Sequence, residues 1–416
     1  LQLYLRKNVV GEDPYDQFKR WMDIGDLIGA EGRLFLTRTG ELTLQVERYE
    51  ILAKALRPLP EKFHGLRDIE LRYRKRYQDI IVNPSVRATF RMRAEIIRRV
   101  RAFFDQRGFL EVETPMMHPI AGGAAARPFE TFHNALEQPL YLRIAPELYL
   151  KRLLVGGFAK VYELNKNFRN EGLSTRHNPE FTMIEFYEAY ARYEDFISLT
   201  EELICGLLDD LFGSRSITYQ GLDLDFTPPW RRLSLEQALV EDGGFAQGEI
   251  EETTALRAAC ERHGGERLEN MSHGELLVEL FEQTVEEKLI QPTFITQYPV
   301  EVSPLARSTE GCADRVDRFE LFIAGREVAN GFSELNDPEE QRRRLLDQVD
   351  KRRQGDDTAQ KMDEDFVEAL EFGMPPAAGE GIGMDRLVML FTDASSIRDV
   401  ILFPQMRPEK GVSHEE

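Results

Sequence analysis

The chain has 416 residues, 42% hydrophobic and 30% charged, an ordinary balance for a folded protein of two or three domains. Acids outnumber bases 73 to 53 and give a formal charge of −20, which argues against a generic nucleic-acid coat. No run of 18 apolar residues is present, so no segment is expected to span a membrane. The cysteines at 205, 260 and 312 form no CxxC pair, which disfavours a zinc site and points to a reducing compartment.

Residues 1–56 read as short β runs: Leu1–Leu5, Asp26–Ala30, Arg33–Thr37 and Leu42–Ile51, with a turn at Thr39-Gly40 and a helix over Tyr15–Met22. The first run is already under way at Leu1. A longer N-terminal segment is therefore expected before it, and no signal peptide is apparent. Leu56-Arg-Pro-Leu-Pro60 reads as a linker. Helices are expected at about 68–81 and 84–107, the second with Phe90, Ile97, Val100 and Phe104 on one stripe and Gly108 at its end. Short strands and helices alternate from Phe109 onward. Residues 192–212, 234–290 and 337–354 read as helical, and 315–334 as a hairpin turning at Ala324-Gly325. Charge is unevenly spread. Residues 71–110 hold eleven bases and three acids, whereas 236–290 hold fourteen acids and four bases.

Four constellations carry chemistry. In the first, Phe168-Arg169-Asn-Glu171 through Arg176-His177-Asn178 to Phe181 lies between two β-like runs, Lys160–Phe168 and Phe181–Tyr187. Strand alternation puts Arg169 on the face of Glu163, Asn165 and Asn167, and puts Phe181, Met183, Glu185 and Tyr187 on one face of the return strand. A guanidinium there can fork onto a phosphate while Phe181 stacks on a base; a solvated loop between strands fits the same residues equally well. In the second, glycines alternate through Gly379-Glu-Gly381-Ile-Gly383, and Arg386 follows at the start of a helix. This suits close approach to phosphate or ribose but has neither the dinucleotide nor the P-loop spacing.

In the third, Glu320 and Glu327 stand seven apart across the hairpin turn, where paired carboxylates can hold Mg²⁺ or be two solvated acids. Asn330, Phe332 and Glu334 alternate onto one face, with Glu327 on the other parity. For all four to line one pocket, a bulge near Val328-Ala329 is required; an unbroken ladder through 327–334 would exclude it. In the fourth, Arg143-Ile-Ala-Pro-Glu147-Leu-Tyr-Leu-Lys151 sets Glu147 behind Pro146 at a helix start, either as a capping acid or to hold an amine.

Taken together, these residues resemble the class II aminoacyl-tRNA synthetases, and within them the members specific for lysine, over essentially the whole chain. Gly108-Phe-Leu-Glu-Val-Glu-Thr-Pro115 is similar to motif 1, Phe168-Arg169-x-Glu171 with Arg176-His177 to motif 2, and Gly381-Ile-Gly-Met-Asp-Arg386 to motif 3. The resemblance implies an α+β fold: an antiparallel class II sheet flanked by helices, preceded by a partial OB-fold β-barrel. The implied boundaries are residues 1–56 for the partial anticodon-binding barrel, 57–82 for a linker and helix, and 83–416 for the catalytic domain, with a helical insertion at about 234–290. Glu41 is implied as a surviving anticodon contact. Motif 1 implies a homodimer, and the reaction implies a cytoplasmic location.

The implied activity is ATP-dependent activation of L-lysine and its transfer to tRNA(Lys), with Mg²⁺ as cofactor. By motif, Glu147 and the backbone near Gly123 hold the α-ammonium. Glu185, Tyr187 and Glu334 hold the ε-ammonium, Arg169 and Asn330 orient the carboxylate, and Phe332 packs on the aliphatic stem. Arg169 contacts the α-phosphate, Glu171 and Asn178 contact the adenine, and Phe181 stacks on it. His177 and Arg386 take the outer phosphates, and Glu320 and Glu327 bind magnesium. Arg169 and Arg386 are the implied catalytic pair. Three acids suit a substrate with two cations and would repel an aspartate. Ala329 stands where some members have glycine, and a small paralogue that attaches β-lysine to an elongation factor shares that alanine. Ligation of β-lysine is thus a second reading, and a non-catalytic paralogue a third. The basic 71–110 segment is the expected resting place of RNA phosphates.

Overall fold

The computed structural model describes residues 1–58 and 66–408, so Leu59 and Pro60 of the expected linker lie outside the described residues. The chain divides into two units, Leu1–Arg87 and Ala88–Glu416. In the first, strand β1 (Gln2–Leu5) runs parallel to β3 (Leu42–Ala53), which pairs antiparallel with β2 (Leu27–Leu36). The two strands expected over 26–30 and 33–37 are one strand, joined through a register shift at Glu31/Gly32. A Cβ on Gly32 would lie 1.9 Å from the Gln45 carbonyl oxygen, so only glycine lets the strand continue past that bulge. Gly40 takes φ +81° in the turn between β2 and β3. Helix α1 (Glu12–Trp21) starts earlier than expected, with Glu12 and Asp13 in its first turn and Lys19 and Arg20 in its last, matching the helix dipole. The single helix expected near 68–81 is broken at Lys75 into Ile69–Arg74 and Arg76–Val82.

The second unit is built on eight strands: β4 (Leu110–Glu111), β5 (Lys160–Phe168), β6 (Glu180–Ala189), β7 (Arg231–Ser234), β8 (Thr293–Thr296), β9 (Arg318–Phe322), β10 (Glu327–Ser333) and β11 (Ala377–Gly383). Their order is β7-β8-β9-β10-β11-β6-β5-β4. The edge pairs β7/β8 and β5/β4 are parallel and the pairs between them antiparallel. The long helix α2 (Pro84–Gln106) ends at Gly108, whose φ is +77°, and buries Ile96, Val100 and Phe104. Phe104 packs on Tyr162 of β5 and Phe186 of β6, covering one face of the sheet. Each such buried side chain stabilises by roughly 1.5–3 kcal/mol. The helices of residues 235–284 have their own core around Leu239, Leu256, Leu276 and Phe281, which joins the sheet at Ile295 and Phe322. Among the described residues, no helix is long and apolar enough to cross a membrane.

The expectation that 71–110 lends its charge to RNA needs correction. In the first unit Arg72 and Arg76 converge on the buried Asp79, and Arg74 pairs with Glu70. In the second, Arg93 pairs with Asp385, Arg99 with Glu95 and Asp210, Arg101 with Glu111, and Arg107 with Glu202. Charge counted along a segment misses acids that the fold delivers from elsewhere. Much of this excess is matched by acids, several of them from other elements, and Arg76 and Arg93 pair with buried aspartates.

Candidate active site

Helix α2 covers one face of the sheet, and the opposite face carries the site. Directly paired residues in a sheet share a face. One row across the strands reads Glu163, Glu185, Gly381, Asn330 and Glu320; the next reads Val161, Tyr187, Gly379, Phe332 and Arg318. The alternating glycines of β11 therefore form the floor of a trough, with Glu185 and Tyr187 on one side and Asn330 and Phe332 on the other. A Cβ on Gly379 would lie 2.2 Å from both Glu334 Oε1 and Tyr187 Cε1. The required bulge is present. Leu321 pairs with Ala329 and Phe322 with Glu327, so Val328 is the extra residue, and Glu327 returns to the face of Glu320 and Asn330.

A cavity of about 390 Å³ lies in this trough, lined by Gly123, Glu147, Arg169, Glu185, Tyr187, Asn330 and Phe332 among others. Glu334 sits beside it and accepts an ion pair from the fully buried Lys151 at 2.5 Å. Helix α3 (Glu147–Val155) brings Lys151 one turn beyond Glu147, whose Oε1 accepts a hydrogen bond from Lys151 Nζ at 2.6 Å. Burial pushes the Glu185 carboxyl up to about 8, with Glu147 and Glu163 adding repulsion. Burial also pushes Glu334 up to about 8, against the pull of Lys151. Tyr187 donates to Glu185 Oε2 at 3.3 Å, and burial holds its hydroxyl protonated. The pocket is acidic and desolvated, and a cation entering it meets carboxyls held above their usual range for want of one. Gly123, at φ +88°, lies against Ala145 and Glu147, and a Cβ there would be 3.3 Å from each of theirs.

A neighbouring cavity of about 230 Å³ is lined by Arg169, Glu171, His177, Asn178, Phe181, Gly383 and Arg386. Arg169 follows β5 directly. Its guanidinium lies 5.1 Å from the Phe181 ring centroid, and its buried Nε has no hydrogen-bond partner in the protein. A buried cationic donor left open beside an aromatic ring suits an anion next to a flat ring system. Asn178 differs from expectation. Its amide donates to the Glu180 carbonyl at 2.5 Å and accepts from the Gln405 amide at 3.3 Å, so its polar atoms brace the loop. Asp385, next to Arg386, accepts from the Thr182 amide and pairs with Arg93, which fixes β6 to helix α4 (Met384–Phe391).

A third cavity, of about 580 Å³, shares Arg176, His177, Glu327 and Arg386 with the second and adds Glu282, Glu286, Tyr298, Arg318 and Glu320. The acidic 236–290 region thus contributes two of its glutamates to this wall. Burial raises Glu282 to about 7, with further repulsion from Glu320. Arg386 binds both the carbonyl and the carboxylate of Glu327, and its Nη2 is 3.4 Å from His177 Nε2. Burial and then Arg386 hold the His177 imidazole below its usual range. Glu320 accepts from Tyr298 at 2.8 Å and from Arg318 at 2.5 Å; burial raises its carboxyl despite Arg318, and Glu327 raises it further. These two acids present only oxygen ligands on one face, which fits Mg²⁺.

All the expected residues except Glu41 fall around these joined cavities. Glu41 lies in the first unit, in the β2–β3 turn, where its amide donates to Thr37 Oγ1. Two participants were missed: Lys151, legible as the i+4 partner of Glu147, and Arg318, two residues before Glu320 and so on its face. Arg318 also donates to Asn330 Oδ1 at 3.2 Å, which fixes that amide's orientation. Ala329 does not face the pocket. It packs in the opposite core, opposite Leu321 and Ile382, so glycine or alanine there does not touch a substrate.

A family model described as tRNA synthetases class II (D, K and N) matches residues 68–407. A lysine–tRNA ligase of Carboxydothermus hydrogenoformans is 57% identical over 408 residues, 98% of this chain and 83% of that protein. One of Pelotomaculum thermopropionicum is 57% identical over 412 residues, covering 99% and 81%. One of Thioalkalivibrio sulfidiphilus is 56% identical over 410 residues, covering 98% and 82%.

Proposed function

Because this chain belongs to the class II tRNA synthetases (D, K and N), we propose that it activates L-lysine with ATP and transfers the lysyl group to tRNA(Lys). The observation that carries lysine is the trough itself: Glu147, Glu185 and Glu334, all buried, around one cavity that Tyr187 and Phe332 flank with aromatic rings. The side-chain carboxylate of an aspartate would meet the acids Glu185 and Glu334 where a lysine ammonium is drawn in.

In this reading Glu147 and the Gly123 backbone take the α-ammonium, and Glu185, Tyr187 and Glu334 take the ε-ammonium. Phe332 covers the stem. Arg169 and Asn330 hold the carboxylate toward the second cavity, where Phe181 stacks on adenine and Glu171 edges it. Asn178 braces that loop. The lysine carboxylate is ionised near neutral pH and needs no general base. It attacks the α-phosphorus in line. The new C–O–P linkage forms as the bond to the β-phosphate oxygen breaks, and pyrophosphate leaves toward His177 and Arg386. Arg169 stabilises charge developing on the α-phosphate oxygens, so catalysis is positioning plus electrostatics. The terminal ribose hydroxyl of the tRNA then attacks the adenylate carbonyl and AMP departs. Magnesium, held by Glu320 and Glu327, would supply positive charge to the polyphosphate oxygens.

Further parts of the proposal concern architecture. Residues 1–56 are read as part of an OB-fold that binds the anticodon, with Glu41 on its β2–β3 turn, 57–82 as the connection and 83–416 as the catalytic domain. Gly108–Pro115 runs along the β4 edge of the sheet, where Leu110, Met116 and Met117 are exposed, and is read as the homodimer contact. A tRNA-charging enzyme belongs with the translation apparatus in the cytoplasm. The test is amino-acid-dependent pyrophosphate exchange with lysine, β-lysine and aspartate. Exchange with lysine alone is expected; exchange with β-lysine in preference would overturn the assignment.

A further inference from the structure

We propose that Lys151 is a specificity-determining positioning residue: its ammonium cross-links Glu147 and Glu334 and so sets where these two acids stand, and how readily they give up their protons, when they meet the two ammonium groups of the substrate. The inference rests on the reading of the cavity as a lysine pocket.

Lys151 is fully buried and does not line the cavity. Its Nζ lies 2.6 Å from Glu147 Oε1 and 2.5 Å from Glu334 Oε2. The aromatic rings of Phe332 and Phe366 close around it at 5.3 and 5.9 Å, so water does not replace either partner. One oxygen of each acid is thereby tethered to a cation behind the pocket wall. Neither Glu334 oxygen makes a hydrogen bond; Oε2 meets only the Lys151 ammonium, and Oε1 lies next to the space that Gly379 keeps open. Glu147 and Glu334 come from different elements, α3 and the end of β10. The lysine is therefore the tie that sets their spacing and hence the length of diamine that fits between them.

The charge balance follows from the groups that face this triad. Glu185 and Tyr187 come from β6, Glu163 from β5, Arg169 from the loop after β5, and Arg318 from β9. Glu163 is neutralised by the fully buried Arg143 at 2.7 Å, and Arg318 by Glu320. Arg169 is matched by the substrate carboxylate. Farther along the same cavity Lys351 pairs with Glu275, Arg386 with Glu327, and Glu380 accepts from Thr200, while Glu301 and Asp356 also line it. The acids nearest Lys151 are Glu147 and Glu334, with Glu185 beyond them. Desolvation opposes the Lys151 charge, but Glu147 and Glu334 outweigh it and keep the side chain an ammonium. Without that cation the pull of Lys151 on Glu147 and Glu334 is lost, and both carboxyls hold their protons to a higher pH before the pocket accepts a dication.

The experiment is lysine-dependent pyrophosphate exchange across pH, with wild-type protein and Lys151→Met, alongside KM for ATP and a thermal melt. In the variant, KM for lysine near neutral pH should rise about tenfold or more, and the midpoint of kcat/KM for lysine should move up by about one pH unit. KM for ATP should stay within about twofold. A KM that rises equally at every pH, or does not rise, overturns the inference. If Lys151→Met does not fold, Lys151→Arg retains the charge: an unchanged midpoint supports the inference and a shifted one overturns it. A wild type without lysine-dependent exchange refutes the lysine reading, whereas an active wild type whose variant keeps its midpoint refutes the inference alone.

Discussion

Gly379→Ala isolates the role of the glycine floor. The added Cβ would sit 2.2 Å from both Glu334 Oε1 and Tyr187 Cε1, whereas ordinary contact begins near 3.4 Å. Neither neighbour is a loose end: Tyr187 is buried and bonded to Glu185, and Glu334 is tied to Lys151. One of them must retreat by roughly 1 Å, and overpacking of this kind costs about 1–3 kcal/mol. A displacement of about 1 Å in a binding group typically costs up to about a hundredfold. In the proposed reading both groups face the substrate ammonium and lie away from the adenine cavity. KM for lysine in pyrophosphate exchange should therefore rise about ten- to a hundredfold, with KM for ATP nearly unchanged. Gly381→Ala is the internal comparison. Its Cβ would meet Met183 Cε at 2.8 Å, the movable end of a flexible side chain, so a loss below about tenfold is expected. If Gly379→Ala keeps its lysine KM within about twofold of wild type and melts normally, the trough is not where lysine binds.

Three further outcomes are expected. Arg169→Gln should lower lysine-dependent pyrophosphate exchange by about 10²–10³, because a donor to the α-phosphate is lost; near-normal exchange would refute that role. Glu327→Gln should raise the magnesium concentration needed for half-maximal exchange, since one oxygen ligand loses its charge; an unchanged titration would remove Glu327 from the metal site. The protein without substrate should lose stability as pH rises from about 5 to 8. In that window Glu185 and Glu334, raised from 4.5 to about 8, hold protons in the folded state that the unfolded chain has released. Lysine should reverse the loss by supplying the missing cations, and Glu185→Gln should flatten the slope. Melting curves across pH that are parallel for wild type and Glu185→Gln would contradict the raised carboxyl.

Much of the site was legible along the chain because its chemistry is concentrated in short segments. Strand parity alone put Glu185 with Tyr187, and Asn330 with Phe332 and Glu334. The conflict of parity at Glu327 foretold the bulge that Val328 makes. Segment identity also announced the three motifs and the acidity that a substrate with two ammonium groups requires. What the sequence could not weigh was partnership at a distance. The positive run at 71–110 looked free until Asp385, Asp210 and Glu202 arrived from far along the chain to pair with Arg93, Arg99 and Arg107. Ala329 looked like a specificity position until the pleat turned it into the opposite core. Lys151 looked like one more helical lysine until the fold buried it between two acids from separate elements. Residue type and local period determined which groups exist and which way each strand presents them. Only tertiary packing decided which charges are spent on one another and which remain for a substrate, because burial sets the cost of a charge and long-range contacts supply its partner.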